Sequence, residues 1–290
     1  MKRNVAGVYQ NAGFHWVGDG FRVANYFPMG NDFAKKISPY ILLDYHAPFD
    51  YAPTDQPRGV GVHPHRGFET VTLAFDGKVA HHDSAGHAGV IGPGDVQWMT
   101  AASGVLHKEY HEEGFARAGG TMHMAQIWVN LPKAHKMDAP RYQSIAAADK
   151  GVVALPDGSG EVRVIAGEFQ GVRGPAKTFT TVNMFEVALK AGGRVSFSFP
   201  ARQNTALLVM KGDVTVNGRD KAGALDLILL ENAGEDFTVE STTDAHLLLL
   251  NGEPINEPVV QHGPFVMNTI DEIRQAFTDF QQGKFGSLAA

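Results

Sequence analysis

Two segments in opposite halves of the chain can be aligned with each other without a gap. VGVHPHRGFETVTLAFDGKV, at residues 60–79, has valine, threonine and glycine at positions where VSFSFPARQNTALLVMKGDV, at residues 195–214, has the same residues. Further on, QIWVNLP parallels LLLLNGEP. In a chain of 290 residues, such a repeat predicts two domains of related fold. The alternative is chance similarity between two β-rich segments.

The polar stretch KAHKMDAPRYQSIAAADK, residues 133–150, separates the two copies. Domain boundaries commonly fall in polar segments of this kind. We therefore expect one domain at residues 1–145 and a second at residues 146–290.

Short runs of β-branched and aromatic residues recur along the chain between its 33 glycines and 15 prolines. Examples are ETVTLA in the first half and TALLVM in the second. This spacing is typical of many strands joined by turns, so we expect an all-β fold of two barrels or sandwiches.

The last segment has a helical pattern instead. Thr269 and Glu272 form a capping-box signature, and Gly283 is a stop signal. Apolar residues recur at helical spacing between them, at Ile270, Ile273, Phe277 and Phe280. We expect a short amphipathic helix at the end of the second domain.

Charge and composition restrict the class of protein. The net charge is -6 and no basic run occurs, which argues against a protein that binds nucleic acid through its phosphates. No segment approaches the roughly 18 apolar residues of a membrane span, and no apolar region follows the basic residues at the N-terminus. We expect a cytoplasmic protein that binds neither membranes nor nucleic acid directly.

The chain has no cysteine. Disulfides, thiolate catalysis, zinc ribbons and iron–sulfur clusters are thereby excluded. Any metal site must use nitrogen and oxygen ligands.

Two pairs of side chains at alternate positions indicate such a site. In HPHRGFETVT, His63 and His65 would lie on one face of a strand, roughly 6.6 Å apart along it. In SGVLHKEYH, His107 and Glu109 have the same spacing. A single pair is more often a surface or core feature, but together the pairs offer three imidazoles and a carboxylate. That set suits a first-row divalent metal and leaves coordination positions open, whereas a closed structural zinc site would generally recruit cysteine.

Glu69 has the same parity as His65. On a regular strand it would lie about 13 Å further along, too far to share the ion unless a bulge at Gly67 shortens the path. We expect it to support the site or to end the strand.

Other histidines are weaker candidates. The segment HHDSAGH resembles a solvated loop, and it contains His81, His82 and His87. The second copy has no equivalent ligands, since His63, His65 and Glu69 align with Ser198, Pro200 and Asn204. We expect the second domain to be free of metal.

Three longer motifs resemble the pirin family of bicupins. HPHRGFETV occurs at residues 63–71, PGD-x-QWMTA-x-x-G-x-x-H-x-E at residues 93–109 and NEP-x-x-Q-x-GPFVMNT at residues 256–269. With RVANYFP and LLD-x-x-x-P near the start, the resemblance covers nearly the whole chain.

The resemblance implies two cupin barrels in tandem with one mononuclear metal, usually iron, in the N-terminal barrel. The ligands of the family fall on His63, His65, His107 and Glu109. Some pirin-like proteins are similar to quercetin 2,3-dioxygenases, which open flavonols with O2 and release carbon monoxide. Eukaryotic members are associated with transcriptional co-regulation.

We therefore expect a metal-dependent dioxygenase that acts on a flavonol such as quercetin and O2. Fe(II) is the expected ion, with Mn, Co, Ni, Cu or Zn as alternatives, and Glu109 is the expected general base. One alternative is a regulatory protein whose metal oxidation state changes its affinity for a protein partner. Another is a cupin that catalyses isomerisation or a further reaction without oxygen. A roomy apolar pocket beside the ion would favour an enzyme, and a sealed site with a large exposed apolar patch would favour the regulatory protein.

Overall fold

The computed structural model describes residues 1–10, 13–27 and 31–289. Within these ranges the chain consists mainly of short antiparallel strands. The strands are β1 Val5–Gln10, β2 His15–Val17, β3 Phe21–Asn25, β4 Tyr40–Tyr51, β5 Gly59–His65, β6 Phe68–Asp76, β7 Val79–Asp83, β8 Ala88–Ile91, β9 Val96–Thr100, β10 Val105–His111, β11 Gly120–Asn130, β12 Arg141–Ile145, β13 Gly151–Ala154, β14 Gly160–Ala166, β15 Glu168–Phe169, β16 Val172–Arg173, β17 Val182–Leu189, β18 Arg194–Ser198, β19 Asn204–Lys211, β20 Val214–Val216, β21 Asp220–Ala222, β22 Asp226–Leu230, β23 Asp236–Ser241, β24 Ala245–Gly252, β25 Val260–His262 and β26 Phe265–Met267.

The α-helices of the described ranges are α1 Asn31–Ile37, α2 Glu113–Ala118 and α3 Ile270–Gln281. Single 3-10 turns lie at Lys133–His135, Ala147–Asp149 and Pro156–Gly158. None of the described helices has the length and hydropathy needed to cross a bilayer.

Residue contacts divide the chain into two compact units. One, here called the histidine unit, comprises Gly13–Asn25, Ile41–Ala147 and Ile255–Ala290. The other, the phenylalanine unit, comprises Met1–Ala12, Tyr26–Tyr40 and Ala148–Pro254.

The expected limits, residues 1–145 and 146–290, differ from these units at both ends of the chain. Near the middle of the sequence, the chain passes from one unit to the other between Ala147 and Ala148, close to the expected boundary. However, α3 belongs to the histidine unit, because it packs on β25 and β26 of the same unit. The existence of two independently folding domains that meet at residues 145 and 146 stays a prediction.

The two units contain pairs of sheets with matching strand order. In the histidine unit the orders are β5-β10-β7-β8 and β12-β9-β6-β11-β4-β3-β2. In the phenylalanine unit they are β18-β23-β20-β21 and β1-β22-β19-β24-β17-β14-β13. Strand for strand, β5 to β11 correspond to β18 to β24. The prediction of two related all-β barrels is therefore confirmed.

Aromatic side chains fill the core of the phenylalanine unit. Phe185, Phe197, Phe199 and Phe237 are all buried, and the ring centroids of Phe197 and Phe237 lie 5.4 Å apart. Burial of each such ring contributes about 1.5–3 kcal/mol. Ser198, which aligns with His63, is exposed. The absence of metal from this unit stays a prediction, but its core is apolar.

The predicted capping box begins α3. Thr269 Oγ1 accepts a hydrogen bond from the Glu272 amide at 3.2 Å, and the Glu272 carboxylate accepts one from the Thr269 amide at 2.8 Å. Ile273 is buried, but Ile270 and Phe280 are 51% and 39% exposed. The apolar stripe is therefore narrower than the sequence predicted.

A buried ion pair fixes α3 to the strand region near the histidines. Arg66 Nη1 donates to Asp279 Oδ2 at 2.8 Å, and both side chains are largely buried. Hydrogen bonds from Lys284 and Arg66 hold the pKa of Asp279 well below its usual range. The Asp279 carboxylate is therefore ionised and paired at neutral pH.

Gly67 makes the turn between β5 and β6. Its φ is +89°, and a Cβ atom there would lie 1.9 Å from the carbonyl oxygen of Val266, so a larger residue cannot fit without a backbone shift. Lys136 Nζ donates to the carbonyl oxygens of Gly67 and Val266, at 2.7 Å and 2.9 Å. The turn carries the chain from the sheet of β5 into the sheet of β6.

Candidate metal centre

Three histidines from two paired strands meet in the histidine unit. His63 lies directly opposite His107 in the antiparallel pair of β5 and β10. The ring centroid of His107 is 4.3 Å from that of His63 and 4.6 Å from that of His65. The candidate ligand atoms of the three rings all lie within 4.8 Å of one another, so they could hold a metal ion. The alternation of a strand thus brings together the imidazoles as the spacing predicts.

The hydrogen bonds of these rings suit metal ligation. His63 Nδ1 lies 2.8 Å from the Gly61 carbonyl oxygen, so it carries the proton and leaves the Nε2 lone pair available. Among the described residues, His65 Nδ1 and His107 Nε2 are buried and have no hydrogen-bond partner. A buried polar atom without a partner is costly. Coordination of a cation would satisfy both nitrogens.

Electrostatics also favour ligation by His65 and His107. Burial and the neighbouring imidazoles hold the pKa of both rings well below the usual 6.5. Both are therefore neutral at physiological pH, and only a neutral imidazole can bind a metal.

Glu109 does not belong to the same group of candidate ligands as His63 and His65. The register of β10 and β5 shifts after His107, so that Glu109 pairs with Val60. In the described part of the chain, its carboxylate falls into a second group of candidate ligands with His81 and His107. The structure thus brings three of the four predicted ligands into one cluster, with Glu109 adjoining it through His107.

The Glu109 carboxylate accepts three side-chain hydrogen bonds. Thr72 Oγ1 donates to Oε1 at 3.0 Å, Gln97 Nε2 also donates to Oε1, and Gln126 Nε2 donates to Oε2 at 2.6 Å. All three neighbours act as donors, which suits an ionised carboxylate, because it can only accept. The motifs ETVT, QWMT and QIWV contain these residues, but strand parity alone did not identify them.

Tyr142 orients one of these donors. Its hydroxyl lies 3.2 Å from Gln97 Oε1 and donates to it, so the Gln97 amide group points its nitrogen at Glu109. Burial, together with Glu109 and Asp83, raises the pKa of Tyr142 to about 12. The phenol therefore keeps its proton at physiological pH.

A pocket of about 250 Å³ adjoins the histidines. His63, His65, Glu109 and Gln126 form a polar part of its wall. The rest is largely apolar, formed by Val17, Phe21, Val23, Val60, Met124, Trp128 and Pro264. Asp44 also lines it and accepts a hydrogen bond from Asn25 at 2.6 Å, and burial raises the pKa of its carboxyl. A small, mostly apolar molecule could therefore reach the histidines.

Glu69 belongs to neither group of candidate ligands among the described residues. The turn at Gly67 places it on β6, in a different sheet from His65, where it pairs with Thr100 of β9. Its carboxylate accepts a hydrogen bond from Thr100 Oγ1 at 2.7 Å. The expectation of one regular strand from His65 to Glu69 was therefore wrong, because the chain turns at Gly67. The placement of Glu69 outside the set of metal ligands agrees with its position.

Replacing Glu69 with glutamine is expected to stabilise the protein above pH 7. Burial raises the pKa of Glu69 to about 7 from 4.5, so the folded state holds a proton that the unfolded state has lost within that range. The stability of the unmodified protein therefore falls as pH rises from 4.5 to 7, and E69Q avoids roughly 1–3 kcal/mol of that loss. Thermal unfolding at pH 4.5 and pH 8 measures the difference. Loss of bound metal from a folded E69Q protein would contradict the placement of Glu69 outside the set of metal ligands.

The segment HHDSAGH is not a solvated loop throughout, and the expectation for His81 was wrong. His81 is fully buried on β7, and His82 beside it is partly exposed. The turn residues that suggested a loop begin only after Asp83. Val79, His81 and Asp83 share one parity and are all buried, but Ala80 is buried as well, so the sequence VAHHD has no alternating pattern that would have identified His81.

Comparison with known proteins agrees with this geometry. The family model described as Pirin matches residues 20–129, and the model described as Pirin C-terminal cupin domain matches residues 184–286. A Pseudomonas aeruginosa protein named "Putative quercetin 2,3-dioxygenase" is 49% identical to this chain, with 98% of each chain covered. A "Pirin-like protein" of Caulobacter vibrioides is 42% identical, with 89% of this chain and 91% of the relative covered.

A solved structure extends the similarity to three dimensions. The crystal structure of a quercetin 2,3-dioxygenase from Acinetobacter baumannii matches with a TM-score of 0.95 and 44% identity, over 100% of both chains. The relatives and the two family models agree with the motifs that surround the histidines. The chain therefore belongs to the pirin family.

Proposed function

We propose that this protein is a metal-dependent dioxygenase that opens flavonols such as quercetin with O2. The observation that carries the proposal is the apolar pocket whose wall contains His63, His65 and Glu109. Enzymes commonly bind small substrates in pockets of this composition, with a few polar groups at one side. The relative named "Putative quercetin 2,3-dioxygenase", at 49% identity, and the solved quercetin 2,3-dioxygenase, at 44% identity, support this substrate class.

His63, His65 and His107 would hold the ion, with Glu109 as a fourth donor. Nitrogen and oxygen ligands suit first-row divalent metals, and we propose Fe(II). When bound, the metal supplies Lewis acidity that lowers the pKa of a substrate hydroxyl.

Glu109 is the proposed general base. Its carboxylate lines the pocket and, among the described residues, accepts hydrogen bonds without donating any, so it can take the proton of a flavonol 3-hydroxyl. Thr72, Gln97 and Gln126 hold the carboxylate in one orientation during that transfer. General bases placed in this way accelerate reactions by about 10²–10⁴-fold.

The pocket limits the shape of the substrate. Its volume, about 250 Å³, lies just below the roughly 300–1,000 Å³ usual for ligand pockets, which favours a compact ring system without bulky substituents. Asp44 provides a further polar group, and the raised pKa of its carboxyl suits hydrogen bonding to a substrate hydroxyl. Flavonols carrying sugars are expected to bind poorly.

Elemental analysis combined with an oxygen electrode tests the proposal. The protein loaded anaerobically with Fe(II) is expected to consume O2 in the presence of quercetin and to release one carbon monoxide for each O2. Luteolin, which lacks only the 3-hydroxyl group of quercetin, is the matched control and is expected to cause no uptake. Bound metal without any uptake would contradict the dioxygenase and favour the regulatory alternative.

A further inference from the structure

The buried side chains of His107, His81 and Asp83 form a line. His107 Nδ1 lies 3.5 Å from His81 Nδ1, and His81 Nε2 lies 3.2 Å from Asp83 Oδ2. His81 and His107 are fully buried, and Asp83 is nearly so. The pairing of β7 with β10 places Asp83 opposite His107, which brings the three side chains together.

The position of each proton follows from the acceptor at the end of the line. An ionised carboxylate can only accept, so the His81 proton lies on Nε2, facing Asp83. A neutral His81 then has a lone pair on Nδ1, and this nitrogen accepts a hydrogen bond from the N–H group at His107 Nδ1. The remaining lone pair of His107 is consequently on Nε2, the atom that has no hydrogen-bond partner among the described residues.

Asp83 is itself held in place. Its Oδ1 accepts hydrogen bonds from the backbone amides of Ala85 and His87, at 2.9 Å and 3.0 Å. The His81 ring stacks on Tyr142, with ring centroids 5.1 Å apart and planes inclined by 21°. Neither His81 nor Asp83 can rotate freely, so the line has one defined geometry.

We propose that His81, held by Asp83, is a positioning residue that fixes the tautomer and orientation of His107 so that Nε2 binds the metal. This inference rests on the proposed metal site. It also distinguishes between the two groups of candidate ligands that share His107. When the N–H group at His107 Nδ1 donates a hydrogen bond to His81, that nitrogen cannot bind a metal ion together with His81 and Glu109. His81 is therefore a support for the ligand and not a ligand.

Titration of the metal-free protein with Zn(II) tests the inference without relying on activity. His81→Phe removes the acceptor and keeps an aromatic ring against Tyr142, and it is expected to weaken Zn(II) binding about 10–100-fold, as loss of such supporting partners typically does. His81→Asn offers an amide oxygen near the position of Nδ1 and is expected to restore most of the affinity.

His82→Phe is the matched control. His82 is the next residue on β7, it stacks on Tyr110, and its Nδ1 lies 3.1 Å from the Tyr110 hydroxyl. This substitution is expected to leave Zn(II) affinity unchanged. If His81→Phe binds Zn(II) as tightly as the unmodified protein, the inference is overturned while the proposed function stands. If the unmodified protein binds no metal, both are overturned.

Nuclear magnetic resonance of the unmodified, zinc-bound protein provides a test that needs no variant. Long-range ¹H–¹⁵N correlations of the imidazoles distinguish the two tautomers. A proton on His107 Nδ1 with zinc on Nε2 is the expected result. A proton on Nε2 with zinc on Nδ1 would overturn the inference.

Discussion

Replacing His107 with leucine is expected to abolish metal binding and, with it, the quercetin-dependent uptake of O2. His107 is the ring shared by both groups of candidate ligands, so the substitution damages either arrangement. The loss of affinity should exceed the ~10–100-fold typical of removing a supporting partner. Metal bound per chain after dialysis, and O2 uptake with quercetin, measure the effect.

The fold is expected to survive this substitution. Leucine suits a fully buried position, and the main cost is the acceptor left unpaired on His81, about 1–3 kcal/mol. Thermal unfolding of the metal-free variant checks this. His246→Leu is the control, because His246 is an exposed histidine on β24 of the phenylalanine unit. Full metal content in folded His107→Leu would contradict the proposed centre.

Replacing Glu109 with glutamine is expected to reduce the rate of quercetin turnover about 10²–10⁴-fold. Glutamine cannot take up the proton of the substrate hydroxyl. Gln97 and Gln126 donate to different oxygens of the carboxylate, so the new amide nitrogen would also face one of these two donors. We expect kcat to fall more than KM rises, since the substituted group acts on the proton and the apolar walls still bind the substrate.

Metal content must be measured in the same samples, because Glu109 is also a proposed ligand. A variant that keeps its metal and loses turnover assigns the loss to proton transfer. Glu113→Gln is the matched control, since Glu113 is an exposed carboxylate at the start of α2, four residues away along the chain. Undiminished O2 uptake by Glu109→Gln would remove Glu109 from the mechanism.

The sequence predicted the elements that depend on local patterns. The parity of His63 and His65 and the capping box at Thr269 are properties of neighbouring residues, and both agree with the structure. The two barrels could also be predicted, because each copy carries its own series of apolar runs and turns.

Features that depend on distant contacts could not be predicted in this way. The register shift after His107 moves Glu109 along the sheet, and a single sequence contains no signal for it. The burial of His81 depends on β10 lying beside β7, which the polar residues after Asp83 obscured. The return of α3 to the histidine unit depends on tertiary contacts such as that between Arg66 and Asp279.

The order in which the histidine unit is assembled from the chain has a consequence for its biosynthesis. All segments of the phenylalanine unit have been translated once Pro254 is made, whereas Pro264 of the pocket wall and Asp279 follow later. If the two units fold separately while the nascent chain lengthens, the phenylalanine unit can be complete first. Metal uptake is therefore expected after translation has passed α3, and a ribosome that stops at Pro254 would release a chain with all four proposed ligands but with an unfinished pocket.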